Sequence, residues 1–268
     1  MKATLAIAVN VFRESVRDKI LYNLVLFAIL MIGASYVIGQ LTAGQDVKII
    51  KDLGLAATTL FGLFIAVFIG IGLVSKEVER RSIYSLLSKP IHRYQFVLGK
   101  YAGLVLTLVV NILVMAAALY AMLAYMRWGI EPSIERAWDA PALDPALLTA
   151  VLLILLELML VTAIALFFST FSTPLLSAAF TFGITIAGHF SRDLRNFHDV
   201  VESRVAQTIA RGAYWVLPNL EPFDVKAQVV HGQHVTAGYV ALVAAYGVVY
   251  IGILLVIATF VFSRRDFK

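Results

Sequence analysis

The chain has 268 residues, 60% of them hydrophobic and only 15% charged, and a net charge of +5. Soluble domains carry about 25% charged residues, so this composition, with a mean hydropathy of +0.86, points to a membrane protein. There is no cysteine, which excludes disulfides, thiol nucleophiles, iron–sulfur clusters and cysteine-type zinc sites.

The first nineteen residues hold Leu5, Val9, Phe12 and Val16 at helical spacing, with Asn10, Arg13, Glu14 and Arg17 on another face. This spacing predicts an amphipathic helix in the inner membrane interface. The apolar run that follows is too long for the core of a secretory signal, about 7–15 residues, so the N-terminus is expected to stay uncleaved.

A hydrocarbon core about 30 Å thick needs about 20 apolar residues of helix. Six segments meet or approach this: 20–39, 55–74, 101–126, 146–168, 174–190 and 237–262. Four contain no charged residue; 146–168 contains Glu157, and 174–190 is the shortest, with His189 near its end. Pro174 after Ser172 and Thr173 is a helix start signal. Six spans put both termini on one side. Lys2, Arg13, Arg17, Lys19, Arg264, Arg265 and Lys268 flank those termini, and six more basic residues cluster at 75–103. The positive-inside rule therefore places both ends and that cluster in the cytoplasm.

The loops follow from the spans. The 40–54 loop is short, and 127–145 is polar and broken by Pro132, Pro141 and Pro145. The 191–236 segment is the longest outside the spans. In it Val201, Val205 and Ile209 repeat every four residues, followed by Tyr214, Trp215 and "VLPNLEPFD". The pattern predicts an amphipathic helix lying at, or dipping into, the outer interface. Its acids and bases balance, leaving no field to attract nucleic acid. Gly62, Ala66 and Gly70, and likewise Ala237, Ala241 and Ala245, form small-residue faces suited to a packed bundle or a dimer seam. The whole of 1–268 reads as a single transmembrane domain.

The cluster "SKEVERRSIYSLLSKPIHRYQFVLGKYAG", 75–103, surrounds a short apolar stripe, Ile83, Leu86 and Leu87, with Lys76, Arg80, Arg81, Lys89, Arg93 and Lys100. Pro90 ends the short helix, because it donates no backbone hydrogen bond and its ring clashes with the preceding turn. The alternative to a docking helix is a solvated basic loop that only sets topology. Gly99-Lys100 is no phosphate loop: the required glycine and the following Ser or Thr are replaced by Tyr94 and Tyr101. Any ATP energy must come from another chain.

Glu157 within a span is costly and therefore a functional candidate; the plainer reading is a neutral or hydrogen-bonded acid, with Asn111 or another helix as its partner. His231 and His234 are three apart, but Gly232 between them favours a turn, and no acid or cysteine completes a metal shell. A single mid-span acid does not supply the paired groups of an intramembrane protease.

The 75–103 stretch closely resembles the segment between the second and third spans of type 2 ATP-binding-cassette (ABC) transporter permeases. The resemblance rests on the acids Glu77 and Glu79, the run Leu86-Leu87-Ser88-Lys89-Pro90, the basic Arg93, and Gly99-Lys100 at the start of the third span. "LPNLEPFD" is similar to the segment before the last span in a branch that includes permeases linked to multicopper-enzyme maturation. The resemblance implies an all-α integral membrane protein: six spans, an N-terminal interfacial helix, a cytoplasmic coupling helix and an outer re-entrant segment.

It further implies a homodimer or a pair with a paralogue, in the inner membrane of a prokaryote, above a dimer of separate ATPase subunits that carry ATP and Mg. The chain itself would bind no cofactor and catalyse nothing. Glu77, Glu79, Arg80, Arg81, Ile83, Leu86, Leu87, Ser88, Pro90 and Arg93 would make the ATPase contact, with Phe12, Arg13 and Arg17 beside it. Membrane lipid and a periplasmic protein are the other candidate partners. Two other readings stand beside it: a scaffold that docks a cytosolic partner without transport, and an ion- or proton-coupled carrier using Glu157.

Overall fold

The computed structural model describes residues 2–41, 46–79, 92–129, 138, 140–191, 207–208, 212, 214 and 216–264. The expectations for Arg80, Arg81, Ile83, Leu86, Leu87, Ser88 and Pro90, and for a helix through Val201, Val205 and Ile209, lie outside those residues.

All regular structure among the described residues is helical. In chain order it comprises α1 (Lys2–Val16), α2 (Lys19–Gln40), α3 (Asp46–Glu79), α4 (Arg93–Trp128), α5 (Ala146–Ser169), α6 (Pro174–His189), a 3-10 turn (Glu221–Phe223), α7 (Lys226–Val230) and α8 (Ala237–Arg264). Helices α2, α3, α4, α5 and α8 are long and apolar enough to cross a membrane. Helix α6 has 16 residues, about 24 Å at 1.5 Å per residue, short of a core about 30 Å thick. The 174–190 segment is thus an apolar helix below spanning length.

Helix boundaries follow local chemistry. Asp18 caps α2 by accepting from the Ile20 N–H at 2.9 Å. Helix α4 begins after an extended His92, whose N–H donates to the Gln95 Oε1 at 3.2 Å. The Asp144 Oδ1 accepts from the Ala146 N–H at 2.8 Å as α5 starts, and Pro174 occupies the first turn of α6 after an extended Thr173.

Two boundaries correct the sequence expectation. Helix α3 begins at Asp46 rather than near 55, and α4 begins at Arg93 rather than near 101. Both run past the hydrocarbon, since a helix needs no apolar side chains where water can solvate them. The loop expected at 40–54 is therefore largely helical. Lys51 is fully buried there, and its ammonium donates to the Pro141 carbonyl at 2.8 Å, tying the start of α3 to the loop before α5.

Helix α5 is the centre of the bundle. It is apolar on nearly every face, as a mostly buried helix is, and it packs against α3, α4, α6 and α8, leaving Leu148 and Leu152 exposed. The Gly62, Ala66 and Gly70 face lies inside, with Gly62 against Leu158 and Gly70 against Ala165. Ala241 and Ala245 on α8 stay exposed. Helices α2 and α8 turn large apolar side chains outward, among them Leu26, Phe27, Leu30, Leu242, Val249 and Val256, as lipid-facing helices do.

Helix α1 lies along the first turns of α4, and two glycines make this approach possible. A Cβ on Gly103 would sit 2.6 Å from both the Ala8 carbonyl oxygen and the Val11 Cβ, and one on Gly99 would sit 2.8 Å from the Ile7 Cβ. The face of α1 that packs on α4 is therefore Ala8, Val11 and Ser15, which leaves the Leu5–Val9–Phe12–Val16 stripe on the neighbouring face. Leu5 is 67% exposed. Small residues win the contact because only they let the two backbones meet.

Overpacking this groove costs about 1–3 kcal/mol, enough to lift a peripheral helix. Gly103→Leu is expected to speed maleimide labelling of a Ser15→Cys reporter about tenfold or more. Unchanged protection of that reporter would contradict the groove's role. The natural chain contributes no background thiol.

Candidate functional site

One end of the bundle gathers the start of α4, the end of α3, helix α1 and the end of α8. Glu77 and Glu79 lie in the final turns of α3. Arg13 and Arg17 are exposed and Phe12 is half-buried on or just past α1. Arg93, the first residue of α4, turns to the last helix. Its guanidinium donates to the Phe262 carbonyl at 3.4 Å and to the Ser263 carbonyl. A cation at the final carbonyls of a helix meets the negative end of its dipole. Phe96 stacks on Phe262 at 5.4 Å between centroids, one turn further in. Lys100 is withdrawn from the basic surface: it is buried, 5.7 Å from the centroid of the Phe96 ring.

The second constellation is inside. Helix α6 carries Ser177, Thr181, Thr185 and His189 at four-residue steps; the first three are buried and His189 is partly so. The Thr181 hydroxyl donates to the Ser177 carbonyl at 2.7 Å and the Thr185 hydroxyl to the Thr181 carbonyl at 2.8 Å, so these two threonines bond within their own helix. His189 reaches across instead. Its Nε2 lies 3.2 Å from the Oε1 of Glu157, whose side chain is only 3% exposed. Its Nδ1 lies 2.9 Å from the Thr185 carbonyl oxygen, which can only accept, so Nδ1 carries a hydrogen. A hydrogen bond between Nε2 and Oε1 then needs one hydrogen on either atom.

Asn111 does not meet Glu157. Its amide donates to the Thr107 carbonyl on its own helix at 2.6 Å. Lys226 is near enough for its charge to act on His189. Its ammonium pairs with Asp224 at 3.4 Å and donates to the Thr59 hydroxyl at 3.5 Å. Charged or polar groups from α3, α5, α6 and the chain before α8 therefore converge around one point.

That stretch of chain, 216–230, does not lie on the outside of the bundle. Leu220, Phe223, Val225 and Val229 are almost wholly buried. Three tyrosines of α8 hold its backbone. The Tyr239 hydroxyl donates to the Pro222 carbonyl at 2.8 Å, the Tyr246 hydroxyl accepts from the Asn219 N–H at 2.8 Å, and the Tyr250 hydroxyl donates to the Val216 carbonyl at 2.6 Å. The chain thus runs along α8 from the level of Tyr250, about 20 Å from the start of that helix, back towards Tyr239. At Gly188 the approach is again backbone to backbone: the Leu220 N–H donates to the Gly188 carbonyl at 3.0 Å, and a Cβ there would meet the Pro218 carbonyl oxygen at 2.7 Å.

Beneath this stretch lies a cavity of about 400 Å³, bounded by Ile164, Phe168, Ile184, Leu217, Pro218 and Leu254, among others. Its lining is apolar except for Tyr250, whose hydroxyl is already bonded to Val216. His231 caps α7 with Nδ1 2.8 Å from the Ala227 carbonyl, and Gly232 follows at φ 70°, the left-handed turn that its position between two histidines predicts.

Three features escape a reading by hydropathy: the Glu157–His189 contact, the glycine groove and the tyrosine row. Two of them left a signal. Gly99 and Gly103 are four apart, and Tyr239, Tyr246 and Tyr250 are seven and four apart on one face of a helix otherwise poor in polar groups.

No curated protein matches the chain. Residues 5–267 match the family described as ABC-2 family transporter protein. The match takes in α1 from Leu5 onward, the glycine groove, the basic stretch between α3 and α4, and the whole of α8. The chain belongs to the ABC-2 family of transporter proteins, a membrane subunit of the ABC transporter type.

Proposed function

We propose that this chain is the permease subunit through which a separate pair of ATPase subunits drives export, or mechanical work on a periplasmic partner, across the inner membrane of a prokaryote. It works as a dimer with a second copy or a paralogue. Both termini and the 80–91 stretch face the cytoplasm. The sixth crossing combines α6 with the re-entrant chain that follows it, and the 216–230 stretch closes the far side. The branch is that of permeases linked to multicopper-enzyme maturation.

The observation that carries this reading is the convergence at one end of the bundle. Residues 80–91 join the two longest helices, α3 and α4, of 34 and 36 residues. The apolar stripe Ile83, Leu86 and Leu87 fills a groove on the ATPase, as a short amphipathic helix does. Closure of the ATPase pair on ATP pushes that peg. Helices α3 and α4 tilt, and Arg93 carries the displacement to the end of α8. This is a rigid-body switch, and it requires the peg to bind differently in the two states of the ATPase. Nucleotide and Mg sit on the partner chain.

Leu86→Asp or Leu87→Asp is expected to abolish co-purification of the ATPase while the chain still inserts. Full recovery of the ATPase with either variant would remove the docking helix from the account. Arg93→Gln is expected to keep the ATPase bound but to lower substrate-stimulated hydrolysis several-fold, because the carbonyls at the end of α8 lose their cation. Hydrolysis coupled as in the natural chain would mean that α8 receives its motion by another route.

A further inference from the structure

The chain at 216–230 is fixed to α8 by three tyrosine hydroxyls; its later part, 221–230, also packs on α3 and α5, while its first part, 216–220, meets the end of α6. There the Gly188 carbonyl accepts from Leu220, and the bare Cα of Gly188 admits the Pro218 carbonyl. His189, the next residue, fixes that end of α6 to α5 through Glu157. Helix α6 is the shortest of the apolar helices. We propose that the Glu157–His189 contact is a latch: these two side chains position the end of α6, and the end of α6 holds the 216–220 stretch in place beside the apolar cavity. Glu157 and His189 are thus positioning residues of the gate, and the name gate rests on the transporter reading above.

The chemistry distinguishes a latch from a carrier's proton site. The contact needs one hydrogen between Oε1 and Nε2, while Nδ1 is committed to Thr185. A glutamine at 157 supplies that hydrogen from its amide, so it preserves the latch but cannot exchange a proton. An alanine removes it. A carrier would lose function with either substitution, whereas a latch fails only with alanine.

The groups around the pair have partners of their own. Lys226 is occupied by Asp224 and Thr59, and α8 presents tyrosine hydroxyls already bonded to the backbone. The titratable residues described on α3 lie near its two ends, at Asp46 to Asp52 and from Lys76 onward, well away from Thr59.

The test uses a Leu220→Cys reporter in the full chain in proteoliposomes, read by the rate of labelling with a membrane-impermeant maleimide. Leu220 is fully buried against Gly188, and the natural chain has no thiol. Glu157→Ala and His189→Ala are expected to speed labelling at least about tenfold, while Glu157→Gln stays as slow as the reporter alone. If both alanine variants label no faster than the reporter, or if Glu157→Gln labels as fast as Glu157→Ala, the latch is wrong. A Leu119→Cys reporter, buried in the α3–α4 packing, checks that the effect is local. If Glu157→Ala exposes it too, the pair holds the whole bundle and the latch is again overturned. Recovery of an ATPase with the chain is scored separately, so failure of the transporter reading leaves this result standing on its own.

Discussion

Hydrocarbon offers no hydrogen-bond partner, so every polar group this chain carries into its bundle has to find one within the protein. Most do so at no cost to helix placement. Thr58, Thr107, Asn111, Thr162, Thr181 and Thr185 each donate to the carbonyl four residues back on the same helix. Among the described residues, contacts between elements include Glu157 with His189, Lys51 with Pro141, Tyr101 with Met159, Tyr120 with Asp144, Lys226 with Thr59, Arg93 with the end of α8, and the tyrosines of α8 with the chain before it. Such contacts contribute on average about 0.6 kcal/mol each in membrane bundles. Their value lies in fixing register among surfaces that are otherwise greasy and interchangeable.

Close backbone approach does the remaining positioning. Gly99 and Gly103 seat α1 against α4 at one end of the bundle, and Gly188 seats the 216–220 chain against α6 deeper in. Around these seams α5 is packed against four other helices, whereas α1, α6 and the 216–230 chain are held by the named contacts. Rigid long helices joined to small, weakly held elements form an arrangement in which a push at one end is delivered elsewhere with little loss. Interiors packed to crystal density transmit displacement rather than absorb it.

Much of the fold was legible in the sequence, for a simple reason: bilayer thickness dictates helix length, and uncharged runs of that length have few other fates. The start of α6 at Pro174 and the turn at Gly232 were equally plain, because proline and glycine constrain the backbone directly. The ends of α3 and α4 were not. Residues such as Asp46, Lys51 and Lys100 read as loop or surface by charge, yet they belong to helices that outrun the hydrocarbon. The buried pairing of Glu157 with His189 was out of reach, since 32 positions separate them and nothing in the periodicity of either segment fixes its rotation. The face by which α1 packs on α4 was not legible either, because hydrophobicity ranks Leu5 and Phe12 above Ala8, while packing against two glycines ranks them the other way.

Everything functional in this account depends on residues 80–91 lying in contact with the ATPase. A photoreactive amino acid placed at Ile83 in the assembled complex tests that contact directly. The account predicts an adduct with the ATPase subunit whose yield changes when ATP is bound. Adducts confined to lipid, or to a protein on the opposite face of the membrane, would contradict it.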